Sequence, residues 1–413
     1  MTASSPPAPA ARATAAAPTR ARPAALAAAG LAALALLLPA AAPHAQPAAR
    51  ERDPYIEHLP PPRTAPLAWQ RLELGAPGRR YPFAVYANRR LDVPDDLRGI
   101  RRVVVVIHDE RREADAAYGT VTALFAGNRA RAADTLVLAP KFAGPVGAGL
   151  GAMPAWRRTG WMDGEPSLAA AGRPAPVGAY QVLDDLLRAL AQPGRLPALR
   201  AIVLAGHGGG GQMVQRYAVL NGVDEGLRAA GLGLSYVVAN ADSYLYLGPE
   251  RPRPDGRGYA RYERGICPTY NQYRYGLDAP PAYLKDALGR IERARLAARY
   301  AARRVVYLLG SNDNNPEHQG LDKDCGAEAQ GATRLARGLD YWGYETRAAP
   351  RPAGAAGHRA GPARPQHRAF VVLGAGHGEA ETYGSACGVR ALLGEDSLPR
   401  QGSLACRTVP AGR

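Results

Sequence analysis

The sequence predicts an α/β protein built on a doubly wound, mostly parallel sheet. Short apolar runs recur along the chain and alternate with segments of helical periodicity, the pattern of βαβ units. One run, Arg102-Val-Val-Val-Val-Ile107, is continuously apolar and β-branched, as a strand buried on both faces must be. Residues able to do chemistry follow directly after several runs, at the strand ends where such sheets bind ligands.

Residues 1–45 read as a secretory signal. Arg12, Arg20 and Arg22 stand without an acid, an Ala/Leu run extends from Ala24 to Leu38, and Pro39 begins a small-residue stretch to Ala45. The run is Ala-dominated and marginal for a stable span, so no stable membrane insertion is expected after cleavage, and a periplasmic or extracellular location is. Residues 46–66 read as a linker or entry arm, and 67–413 as the α/β domain.

Within that domain, Gln70 to Leu74 and Pro82 to Tyr86 alternate with period two and are expected as edge strands. Further strand cores are expected at 135–138, 201–204, 235–238, 305–309 and 369–373. Helical patterns lie at 115–125, 177–191, 211–220, 283–302, 328–341 and 379–393. Two insertions interrupt the alternation. Residues 242–281 are rich in Tyr, Gly and Pro and are placed as a small cap, packed by its own rings. Residues 349–366 are an Ala/Gly/Pro/Arg stretch that cannot bury a core and is expected as a flexible loop.

The net charge of +16 is nearly all arginine, with Lys only at 141, 285 and 323 and no run of five like charges, so a nucleic-acid partner is not expected. Four cysteines, Cys267, Cys325, Cys387 and Cys406, fit an oxidising compartment. Three pairings are open; Cys387 with Cys406, clipping the tail to the last helix, and Cys267 with Cys325, tying the cap to the sheet edge, are favoured. His318, Asp322 and Asp324 lack metal-ligand spacing and read as a solvated loop, and no metal or other cofactor is expected.

The stretch from Ala201 to Tyr217 is a buried strand, a glycine-rich turn and a helix. A nucleophile elbow reads G-x-S-x-G at such a place, but here Gly206-His207-Gly208-Gly209-Gly210 puts Gly208 where the serine would stand. Around it lie His108-Asp109 to Ala114 with Tyr118, Gly310-Ser-Asn-Asp313-Asn-Asn-Pro316 and Gly374-Ala-Gly-His377. This ordered set resembles the secreted bacterial and fungal α/β-hydrolases, whose elbow reads GHSAGGQ, over most of residues 100–395. The resemblance implies the α/β-hydrolase fold with a cap. It also implies an ester- or amide-like small-molecule ligand, and a triad at position 208, Asp313 and His377. Asp313 would orient His377, leaving its other nitrogen as a general base.

Three departures cluster at the chemistry: Gly208 offers no nucleophile, Asp109 replaces the expected Gly in the oxyanion loop, and Glu113 replaces the expected Asn. A carboxylate near a developing oxyanion would oppose it, since such holes work through donors. Gly209 and Asp109 are therefore the oxyanion-hole positions, while His108, His207, Trp156 and Trp161 are expected to line the binding pocket. The leading expectation is a ligand-binding pseudoenzyme; the alternative is an enzyme in which His377 and Asp313 activate water. A third reading takes Gly206, Gly208 and Gly211 as a G-x-G-x-x-G dinucleotide fingerprint, but the motif sits mid-chain, and Asp224 lies in a polar turn rather than at the end of a strand.

Overall fold

The computed structural model describes residues 69–147, 149–263, 265–283, 293–347 and 366–411. The signal and linker readings, and the 349–366 loop up to Arg364 and Pro365, lie outside these residues.

Nine strands form one sheet: β1 (Gln70–Leu74), β2 (Tyr81–Ala87), β3 (Arg102–Ile107), β4 (Thr135–Pro140), β5 (Ala201–His207), β6 (Gly233–Ala239), β9 (Arg304–Gly310), β10 (His367–Val372) and β11 (Cys406–Thr408). A separate hairpin, β7 (Glu250–Pro252) with β8 (Tyr259–Arg261), lies in the cap insertion. The sheet order is β1-β2-β4-β3-β5-β6-β9-β10-β11. Pairing is parallel from β4 through β10 and antiparallel at both ends, where β1, β2 and β11 join. Only β1 of the two expected edge strands is an edge; β2 pairs on both sides.

The side-chain alternation of β3 explains its unbroken run of valines. Val103, Val105 and Ile107 enter one core, together with Leu204, Tyr236 and Tyr217. Val104 and Val106 enter the other, with Val121, Val203 and Leu392. The helices that cover these faces include α1 (Ala114–Ala123), α2 (Arg129–Asp134), α3 (Ala179–Leu190) and α4 (Gly209–Leu220). Every residue of α4 is buried, because it packs across β5 and β6 in the middle of the sheet.

Several boundaries differ from the sequence reading. The 379–393 pattern is two helices, Glu379–Gly384 and Ala386–Leu393, separated by Ser385, whose hydroxyl caps the second by accepting from the Gly388 N–H. The 328–341 pattern shifts onto Arg334–Arg347. Of the 283–302 pattern, Arg293–Ala301 is a described helix. The two disulfides are Cys267–Cys325 and Cys387–Cys406. In the cap, Tyr244, Tyr246, Tyr270 and Tyr275 are buried, and their rings pack rather than face solvent.

The chain runs from β3 to β4 on one side of the sheet and returns to place β5 on the other side of β3. That reversal opens a crevice at the carboxyl ends of β3 and β5, the usual ligand position in such sheets. His108-Asp109 leaves β3 there, and His207-Gly208 leaves β5 beside it.

Candidate functional site

Position 208 keeps the backbone of a nucleophile elbow. Gly208 has φ +53° and ψ −117°, a conformation that costs any residue with a Cβ about 1–3 kcal/mol. The glycines around it are required by close approach: a Cβ at Gly206 would lie 2.2 Å from the backbone of Gly210, and one at Gly210 would lie 2.4 Å from the Ile107 carbonyl. Tight backbone packing at Gly206 and at Gly211, where a Cβ would lie 2.7 Å from the Ala239 carbonyl, together with the positive φ of Gly208, therefore accounts for the G-x-G-x-x-G spacing. Asp224, the acid of that third reading, pairs with Arg228 and accepts from the Tyr236 hydroxyl.

The space a serine hydroxyl would need is filled. A Cβ on Gly208 would meet Asp109 Oδ1 at 2.6 Å and Oδ2 at 3.1 Å. Asp109 Oδ1 accepts the Gly209 N–H at 2.6 Å. The carboxylate thus stands where the nucleophile would stand and also takes the N–H that would serve an oxyanion. It sits at the N-terminus of α4, where the helix dipole favours negative charge. Burial alone would raise the Asp109 carboxyl, but the His207 and His377 imidazoles and the N–H groups of Gly209 and Glu110 outweigh it and hold it below the ordinary carboxylate range.

The loop that carries Asp109 is rigidly held. His108 is fully buried; the Phe142 N–H donates to its Nε2 at 3.1 Å, so its Nδ1 carries the proton and donates to the Asp109 carbonyl at 2.8 Å. Burial drives the His108 pKa down to about 3, which keeps the ring neutral. Arg112 donates to the carbonyls of Phe142, Ala143, Trp156 and Arg158, pinning this loop to the next.

Asp313 follows β9 and His377 follows β10. His377 Nδ1 lies 2.7 Å from Asp313 Oδ2, so Nδ1–H donates to the carboxylate and Nε2 is left as the basic nitrogen. Both side chains are largely buried. Burial would raise the Asp313 carboxyl, but the His377 hydrogen bond, with His377, Arg334 and His207 nearby, lowers it below the ordinary value. Arg334, from the helix Arg334–Arg347, reaches Asp313 Oδ1 at 3.4 Å and binds Asp242 with its Nε.

One oxygen of Asp109 and one nitrogen from each of His207 and His377 lie within 4.8 Å of one another, among the described residues the group that comes nearest to a metal-ligand set. His207 is already engaged. Asn240 is fixed by the Gly310 N–H on its Oδ1, so its Nδ2 faces His207 Nε2 at 3.2 Å and that nitrogen accepts. Burial holds His207 near pKa 3, and the neutral ring then carries its proton on Nδ1.

A cavity of about 190 Å³ abuts the site, lined among others by Glu110, Thr159, Met162, Gln212, Arg274 and Asp322. A Cβ on Gly209 would meet Met162 Sδ at 2.6 Å, Glu110 Cγ at 2.9 Å and Asp109 Oδ1 at 3.1 Å. Although the Glu110 side chain reaches solvent, partial burial first, then Asp242 and Asp109, raise its carboxyl to about 7. Gln212 spans Asp242 and Arg216, and Arg216 is neutralised by Asp163 at 2.7 Å.

Two of the four expected pocket residues lie in the core. Trp156 and Trp161 are buried in the core, where Trp161 stacks on Phe142 at 5.5 Å and Trp156 Nε1 donates to the Glu165 carbonyl. They anchor their long loop because two indoles cannot be left at a polar wall when an apolar layer lies beside them. His108 is likewise an interior hydrogen-bonding group, whereas His207, also buried, stays within the group formed with Asp109 and His377. Conversely, Glu110, Asp242, Asn240 and Arg334 were not singled out by the sequence; each lies next to a strand end or on a helix with no local motif. A buried arginine in an otherwise amphipathic helix, as at Arg334, is the one signal that could have pointed to a partner acid.

Neither a family model nor a curated protein matches the chain. Among solved structures, it is similar to LpqC, a poly(3-hydroxybutyrate) depolymerase from Bordetella parapertussis, at 21% identity and a TM-score of 0.51, covering 81% of this chain and 93% of that one. It is also similar to poly(aspartic acid) hydrolase-1 from Sphingomonas sp. KT-1, at 19% identity and a TM-score of 0.47, covering 76% and 94%. With its six parallel strands, its elbow after β5 and this likeness, the chain has the α/β-hydrolase fold.

Proposed function

We propose that this is an exported hydrolase of small molecules in which His377, oriented by Asp313, acts as general base and no serine takes part. The observation that carries the reading is the 2.7 Å His377–Asp313 pair, which leaves Nε2 as the ring's basic nitrogen beyond the carboxyl ends of the strands. A positioned base needs only reach and a suitable protonation state to activate water, a contribution of about 10²–10⁴-fold. The two disulfides and the N-terminal apolar run support export.

A second reading, a pseudoenzyme that binds an ester- or amide-like ligand without turning it over, is favoured by the Asp109 carboxylate in the hydroxyl's place. The deciding experiment is steady-state hydrolysis of short-chain p-nitrophenyl esters by the parent and by His377→Ala, with fluorophosphonate labelling of both. Turnover that is lost in His377→Ala, with no labelling of the parent, is expected. Turnover unchanged by His377→Ala would sink the general-base reading; binding without any turnover would select the pseudoenzyme.

A further inference from the structure

We infer that Asp109, His207 and His377 form a binding site for one divalent transition-metal cation of the zinc class, and that the bound ion withdraws His377 from its work as a base. The site stands on geometry alone; the withdrawal rests on the reading of His377 as general base. The donors come from the carboxyl ends of three strands: Asp109 after β3, His207 at the end of β5 and His377 after β10. One oxygen and two ring nitrogens lie within 4.8 Å of one another. Zinc bonds of about 2.0–2.1 Å set tetrahedral donors about 3.3 Å apart, so these three close by at most about 1.5 Å around an ion.

The glycine at the elbow makes this group possible. A Cβ at position 208 would lie 2.6 Å from Asp109 Oδ1 and displace the carboxylate from its place beside the imidazoles. Each donor is also oriented by a partner behind it, as metal ligands are. Asp313 holds His377 Nδ1 at 2.7 Å, so Nε2 carries the lone pair, and Nε2 takes no hydrogen bond among the described residues. The Gly209 N–H fixes Asp109 through Oδ1. Asn240 Nδ2 meets three acceptors at 3.2 Å, His207 Nε2, the Gly376 carbonyl and the Thr382 hydroxyl, with only two hydrogens to give. It can keep the last two bonds and release the ring, whose neutral form then turns its lone pair to a cation.

The donor set selects the ion. Two imidazoles and one carboxylate suit zinc, copper, nickel or iron, whereas magnesium and calcium take shells of oxygen. Asp109 and His377 are each partly exposed, so an ion reaches them from solvent, while His207 is buried. Three protein donors leave a fourth position to water. The ion takes the Nε2 lone pair of His377, the same pair that would accept a proton from water. Metal binding and general-base work at this nitrogen therefore exclude each other.

The test uses the purified protein without a polyhistidine tag, stripped with a chelator and titrated with Zn²⁺ against a chromophoric indicator. One zinc per chain is expected, unmoved by an excess of Mg²⁺. The zinc K-edge absorption spectrum of the parent is expected to show two imidazoles, a readout that needs no variant. Asp109→Asn and His207→Ala, each with an unchanged circular dichroism spectrum, are expected to bind zinc at least about tenfold more weakly, and Asp313→Asn about 10–100-fold more weakly through the orientation of His377. Hydrolysis of short-chain p-nitrophenyl esters by the parent is expected to fall in step with zinc occupancy and to return with EDTA. No zinc bound, zinc held equally by the parent and both ligand variants, or a spectrum without imidazole overturns the site. Hydrolysis unchanged or faster with zinc bound overturns the withdrawal of the base. If His377-dependent hydrolysis is absent altogether, the general-base reading falls and the withdrawal with it, while the zinc titration still decides the site.

Discussion

Asp109 and Gly208 are complementary: the carboxylate of one fills the volume that a side chain on the other would need, with Oδ1 only 2.6 Å from a Cβ at position 208. Restoring the elbow serine alone therefore meets both this clash and a positive φ. Gly208→Ser is expected to lose about 1–3 kcal/mol of stability from backbone strain and to stay unlabelled by a fluorophosphonate. In Gly208→Ser combined with Asp109→Ala the space and the Gly209 N–H are both returned, and labelling is expected. A folded double variant that remains unlabelled would show that the blockage lies elsewhere in the site.

Asp313→Asn changes the tautomer of His377 rather than its position. An amide can offer an N–H to Nδ1, which moves the ring proton to Nε2 and removes the base. Activity is expected to fall by about 10²–10⁴-fold, measured as kcat with the melting temperature as control. Equal activity in Asp313→Asn and parent would mean that His377 does not work as the base.

Arg334 neutralises two buried acids, Asp242 and Asp313. Arg334→Leu strands both and is expected to cost about 3–5 kcal/mol in chemical denaturation at pH 8. Burial raises Asp242 to about 6 even with the arginine present. The loss should therefore be smaller at pH 5, where the stranded carboxyls can take up protons; a loss independent of pH would argue for simple packing.

Glu110 gives a pH dependence of known sign. Its carboxyl rises from 4.5 to about 7, chiefly through burial and then through Asp242 and Asp109, so the folded chain binds that proton more tightly than the unfolded one. Its stabilising contribution is full below about pH 4.5 and is lost as the pH rises through about 7. Denaturation midpoints of parent and Glu110→Gln, compared from pH 4.5 to 8, should diverge in favour of the variant as the pH rises. Parallel curves would mean that solvent at this exposed side chain screens it from Asp242 and Asp109.

Much of the architecture is legible in the chain because it is written locally. The valines of β3 alternate between two cores, and the glycines after β5 mark a turn in which backbone touches backbone. Asp313 and His377 were identifiable because each follows its strand directly in an expected order. The state of the elbow was less so. The absence of a serine at 208 is plain, but that Asp109 crosses to Gly209, 100 residues away, depends on how two adjacent parallel strands end. Arg334 and Asp242, 92 residues apart, meet where the start of the helix Arg334–Arg347 reaches the loop after β6, and three-residue β11 is too short to carry a periodic signal of its own. Trp156 and Trp161 misled because a large ring near a site reads equally as wall or as anchor, and only the packing of Phe142 decides.

The Cys387–Cys406 disulfide closes a circuit around His377. Val372, at the end of β10, pairs with Cys406 on β11, and Cys406 is bonded to Cys387 at the start of the helix Ala386–Leu393. His377 lies on the chain between Val372 and Cys387. The segment that presents the imidazole is thus a stitched ring, and its ordering entropy is spent when the bond forms during maturation instead of at each encounter with a substrate. On this arrangement, closing the disulfide fixes the segment that carries His377.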